Sequence, residues 1–379
     1  MSSIPELIPE IELRLAICNS ELGKLGHPRS TKASQLDCMV ALASKFEKLS
    51  TYALDGRYEK LPEDPELKVR KIVHEALERF THELDGYTWC AGGYFGDSRE
   101  NGVELDTLEE ELWEDQILDD SRFSEIGEVI RQNRGKEPPG EVNPCVMGIL
   151  WNRRTQGWED FAVKLIDELV RSIGVAVGGI FKNICPDEEL RNNTRQWLSE
   201  HLDSIYASAR AELEKIVSDE NNGFLWTNQD RLSLIHKFAN ERIRSMSDRL
   251  WEPYVTANRD ASRLSLERKI KAWIGKRSNI SAIFKTYDLI LSYYLVALNR
   301  FIDNIGHQVV ERHLLGPTSP LRIFQPEYIV RTLQEDDELL RKIAGENENK
   351  VAERAALNAE KVSLEKALST ARTYGYGLN

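Results

Sequence analysis

Cysteine is scarce in this chain of 379 residues, and it comes in an odd number: Cys18, Cys38, Cys90, Cys145 and Cys185, widely spaced and never as a CxxC pair. That spacing excludes a disulfide framework and a zinc site, and it suits scattered thiols in a reducing compartment. No run approaches the roughly 18 apolar residues of a membrane-spanning helix. The opening "MSSIPELIPEIE" also has neither the basic region nor the apolar region of a signal peptide. The chain is therefore expected in the cytoplasm, with membrane contact confined to peripheral association. No stretch of useful length alternates with period two, so nothing argues for a sheet. Positive charge is short as well. Lys and Arg number 50 against 62 Asp and Glu, and the net charge of -12 makes nucleic acid an unlikely partner, because duplex affinity comes from cations neutralising phosphates.

What is present is helical periodicity, almost from end to end. Trp158, Phe161, Ala162, Leu165, Ile166, Leu169, Val170, Ile173, Val177, Ile180 and Phe181 recur at three and four, the spacing that stacks side chains on one helix face. Leu198, Leu202, Ile205, Ala209, Leu213 and Ile216 form a second run after the break at "CPDEE", where Pro186 and the acids suit a helix start. Two further runs follow, one from Leu232 to Leu250 and one from Ile283 to Val309. Upstream, helices are expected over 4 to 25, 33 to 54 and 66 to 85. The fold class is all-α, and long helices joined by short breaks predict an elongated antiparallel bundle. Loops are expected at 86 to 108, at 134 to 144 and at 252 to 279 from their Gly and Pro content or their position between helices.

Familiar catalytic signatures fail on inspection. "GKEPPGEV" has the GxxxxG spacing of a phosphate loop, but Glu141 and Val142 stand where Lys and Ser or Thr must reach phosphate and magnesium. "QEDDELL", with Asp336 and Asp337, lacks the second acidic cluster of a terpenoid-synthase metal site, so a solvated helix face is expected. His307 and Glu311 share a helix face and are expected as a salt-linked surface pair. No catalytic residue, metal site or cofactor is implied. One window stands out: "RLSLERKIKAWIGKRS", residues 263 to 278, sets six cations against Glu267. A solvated charged loop is one reading. The other is an anionic lipid surface, because Arg268, Lys269, Lys271, Lys276 and Arg277 flank Trp273 and Ile274, an aromatic and an aliphatic residue suited to a membrane interface.

The region from 291 onward, "LSYYLVALNRFIDNIGHQVVERHLLGPTSPLRIFQPEYIVRTLQ", resembles the GTPase effector region of fungal dynamin-like proteins. "RGKEPPGEVNP" is similar to the "RGRELPGFVN"-type loop of the dynamin and Mx middle domain, and "ALDGRY" matches a segment of the same domain. The resemblance implies the stalk of a large GTPase without its GTPase domain: an antiparallel four-helix bundle with extra terminal helices that assembles with copies of itself. It implies a first bundle-signalling helix at 4-25, middle-domain stalk at 30-250, a basic stalk-tip loop at 251-280, effector-domain stalk at 281-345 and a second signalling helix at 346-373. The assembly loop carries over to Lys136, Glu137, Pro139 and Gly140, with Pro138 where the family usually has Leu. The tip residues are Arg268, Lys269, Lys271, Trp273, Ile274, Lys276 and Arg277. Implied partners are the chain itself, the GTPase domain of a parent or relative, and an anionic membrane surface. The alternative is a free helical regulator that binds a full-length relative and blocks its assembly. On the last helix, Val351, Ala355, Ala359 and Val362 form one apolar stripe and Leu357, Leu364 and Leu368 another, so two partners are expected for it.

Overall fold

A computed structural model describes residues 4–25, 28–87, 121–221, 231–257 and 262–375. In chain order its helices are α1 (Ile4–Leu25), α2 (Lys32–Asp55), α3 (Val69–Tyr87), α4 (Ser121–Gln132), α5 (Cys145–Thr155), α6 (Trp158–Ile184) and α7 (Glu188–Asn221). There follow α8 (Arg231–Ala257), α9 (Arg263–Lys276) and α10 (Ser278–Asn304), which continues as a π-type turn over Ile305–Leu314. The last four are α11 (Pro320–Ile323), α12 (Pro326–Leu333), α13 (Asp337–Ala344) and α14 (Glu348–Gly375). The described residues contain no strand, and the chain is all-α. Beyond Tyr87, where α3 ends, the loop expected over 86 to 108 lies outside the described residues.

Local chemistry sets the boundaries. Thr31 and Ser34 form a reciprocal capping box at the start of α2, and Gly56 ends that helix at φ +74°, a left-handed conformation that glycine adopts without steric cost. At the start of α7, Asp187 Oδ1 accepts from the backbone N–H groups of Glu189 and Leu190 at 3.1 and 3.3 Å, satisfying donors that the first helical turn leaves open.

The chain divides into two compact units: residues 1–75, 167–208 and 311–379 form one, and 76–166 with 209–310 form the other. In the first, α11, α12 and α13 pack along α2. Phe46, fully buried, meets Phe181 and Phe324 with ring centroids 4.7 and 5.2 Å away. The terminal helices α1 and α14 pair with each other, and Cys18 Sγ lies 3.1 Å from the Leu357 carbonyl. Of the two stripes expected on α14, the one with Leu357 is the covered one, while Val351 and Val362 are 41% and 49% exposed. Glu311 takes Arg70 as its salt partner, a correction to the expected pairing with His307. Asp336 caps α13 through the Leu339 N–H at 2.9 Å and Asp337 pairs with Lys32, so these acids serve local structure.

The second unit has an aromatic-rich core. Trp151 lies 5.7 Å from Trp158 and 4.7 Å from Tyr293, and its indole N–H donates to the Glu220 carbonyl at 2.9 Å. Around α10 the core gathers Phe123, Ile126, Val129, Leu150, Phe284 and Tyr287. A buried ion pair crosses it, with Arg242 donating to Asp288 through Nε at 3.2 Å and Nη2 at 2.6 Å. Burial pushes the Asp288 carboxyl up, more than those hydrogen bonds from Arg242 lower it.

One expectation about length is corrected. The helical stretch Ser278–Leu314 is long and apolar enough to cross a membrane by composition alone, with a window of mean hydropathy 1.2. Since 72% of that window is buried inside the protein, it serves as a core helix.

Candidate functional site

The basic window folds differently from the expected loop. Helix α8 runs to Ala257, α9 spans Arg263–Lys276, and α10 starts at Ser278, so most of 252 to 279 is helical, with residues 258–261 outside the described set. The reason lies in the window itself. Ser262 and Ser265 form a capping box, and Leu266, Ile270 and Trp273 sit four and three residues apart on one face. That face is buried, with Leu266 and Ile270 at 0% and Trp273 at 2% exposure.

The expected interfacial tryptophan is thereby corrected: Trp273 is a core residue. Its indole gains more from packing than it would from water, and Arg277, half-buried, stacks over it at 4.7 Å. Ile274 is half-buried against the same core. The cations divide by helix face. Arg268, Lys269, Lys271 and Lys276 are exposed, Lys269 lying 5.8 Å over the Tyr254 ring. Arg263 pairs with Asp248 and stacks 4.9 Å over Trp251. Leu264, at 57% exposure, is the apolar side chain that α9 presents outward, and sequence reading missed it. Its register, two residues before Leu266 and hence across the helix from the buried stripe, was the available signal.

The expected loop at 134 to 144 is a loop. Gly135 N–H donates to the Glu137 carboxylate at 2.6 Å, and the Glu141 N–H closes a turn on the Pro138 carbonyl at 3.1 Å. Gly140 adopts φ +89°, the conformation that requires glycine, and a Cβ there would lie 3.4 Å from Ser278 Cβ. Val142 tucks against the core while Lys136 and Pro139 are exposed. Glu137 is half-buried and engaged within the loop's own turn. Thus two segments more than a hundred residues apart meet: the loop with Lys136, Glu137, Pro139 and Gly140 abuts Ser278, the residue after Arg277.

Among the described residues no group of His, Cys, Asp and Glu is placed to hold a metal ion. The arrangement places a cationic helix face close in the chain to an exposed loop's contact at Ser278. No known family model matches this sequence, and no curated protein does.

Proposed function

We propose that this chain is the self-assembling stalk of a dynamin-like GTPase. Lateral contacts between elongated antiparallel four-helix stalks build a filament, and the exposed face of α9 holds an anionic membrane during its remodelling or fission. The paired terminal helices couple the stalk to a GTPase domain that is not among these residues, and the chain itself hydrolyses no GTP. The observation that carries the reading is that the assembly-type loop, at Gly140, meets Ser278, the first residue of α10 and the one directly after Arg277 of the basic window. It joins the two segments to which the resemblance assigns surface roles. Both keep exposed cations while their apolar residues Val142 and Trp273 anchor them to one core.

Sedimentation across a concentration series tests it. Reversible growth from monomer to dimer and larger species is expected, and a monomer at every concentration would overturn self-assembly. A second reading has its own support: Leu13 and Ile17 on α1 are 63% and 50% exposed, as are Val351 and Val362 on α14 to a lesser degree, so the terminal pair has apolar surface to offer another helix. In that reading the chain is a regulator docking on a full-length relative. Lowered GTP turnover by the relative, with the chain remaining monomeric alone, is the result that distinguishes it.

A further inference from the structure

In the first unit, Lys45, Lys48, Leu49 and Tyr52 of α2, with Lys60 and Ile184, line an open groove of about 480 Å³. That volume lies within the range of about 300 to 1,000 Å³ typical of small-molecule sites. Several helical cations elsewhere are paired with acids three or four residues away, as in Lys71–Glu75, Arg131–Glu128, Lys215–Glu212 and Lys237–Glu241. Lys45 and Lys48 are three apart on one helix face, and the groove wall contains no carboxylate. Among the described residues neither is in an ion pair, and Lys60 has only the Tyr52 ring, 5.2 Å from its ammonium.

Lys45 and Lys48, like charges at helical spacing, repel each other mildly. Three lysines line this groove with no carboxylate among them, which favours an anion there. Leu49 and Ile184, the apolar residues of the lining, supply no competing acceptor side chain. We propose that this groove binds a polyphosphorylated group: two or more phosphates held by Lys45, Lys48 and Lys60, with the Tyr52 hydroxyl as a further donor. The same chemistry occurs in a free solute and in a phosphorylated lipid headgroup. The site shares no residue with α9 and does not depend on the stalk reading.

Calorimetric titration of the full chain with inorganic pyrophosphate at constant ionic strength tests it, run beside flotation with phosphatidylcholine vesicles containing phosphatidylinositol bisphosphate. Saturable pyrophosphate binding is expected, weakened on the order of tenfold or more in K45Q/K48Q, since two of the three ammonium groups facing the anion are removed. K215Q/K237Q, at two exposed lysines outside the groove, should leave the pyrophosphate affinity unchanged, and an equal loss there would overturn the proposal. Vesicle binding measured in a K269Q/K271Q/K276Q background, which removes the α9 cations, identifies the headgroup as the source if pyrophosphate displaces it and K45Q/K48Q abolishes it, whereas pyrophosphate binding without it identifies a soluble ligand. No saturable pyrophosphate binding, or pyrophosphate binding that K45Q/K48Q leaves intact, overturns the proposal. The three lysines are exposed, so the glutamine variants should keep the wild-type helical circular dichroism.

Discussion

Asp187 is the residue on which several elements converge. Its carboxylate accepts from Arg29 Nη2 at 2.6 Å and from Lys350 Nζ at 2.9 Å, besides capping α7. Burial works to raise this carboxyl, but the bonds from Lys350 and Arg29 outweigh it and hold it down at about 2. An ordinary Asp titrates near 3.9, so the stabilisation is fully present above about pH 4 and disappears as pH falls toward 2. Acid titration should therefore weaken the tie between α14 and the segment before α2 within that window, seen as loss of the Lys350 and Arg29 side-chain NMR signals of the paired state. Asp187→Asn should lower unfolding free energy by about 2 kcal/mol at neutral pH and flatten the acid dependence, because it leaves Arg29, 5% exposed, without its charged partner. In the sequence, the Pro186 break marked the helix start. The ion partners of Asp187, 158 and 163 residues away, left no local trace.

At the scale of the element, α9 separates what one window of sequence combines. The spacing of Leu266, Ile270 and Trp273 and the Ser262 cap were both readable, yet a charge-rich stretch between two long helices invites assignment as a loop. The core beneath it decided the outcome. Trp273→Ala should cost about 3 to 5 kcal/mol in denaturant unfolding, the usual result for a buried aromatic residue, whereas a lipid-facing Trp on a loop would change stability by less than about 0.5 kcal/mol. The cationic face makes the opposite prediction. Replacing Lys269, Lys271, Lys276 and Arg277 with Ala should leave the helix formed, since Ala is the strongest helix former, and should weaken co-sedimentation with anionic liposomes in a salt-sensitive way. Each basic residue near such a surface contributes about 1 kcal/mol, so undiminished binding at low salt would remove the membrane role from this face.

At the scale of the whole molecule, stability is unevenly distributed. Helix α10 buries fifteen residues, from Ile280 to Phe301, whereas α14 buries Leu357 alone among its described side chains and α1 buries Cys18 alone. Amide hydrogen exchange should find α1 and α14 opening together and well before α2, α6 and α10, because a helix opens most easily where it buries the least apolar surface. Equal protection across these helices would contradict that order. The long helices α1, α2, α3, α6, α7, α8 and α10 were legible in the sequence, because an apolar repeat of three and four is a property of neighbouring residues, whereas α9 was read as a loop and the short α4 and α5 were not read at all. The absence of strands and the cap at α7 were legible for the same reason. Which face of a mixed segment meets the core depends on residues far along the chain: Trp273 could be placed inside, Leu264 outside and Gly140 against Ser278 only when the separate helices packed. Periodicity is local and charge is local, but burial is a property of the assembled core.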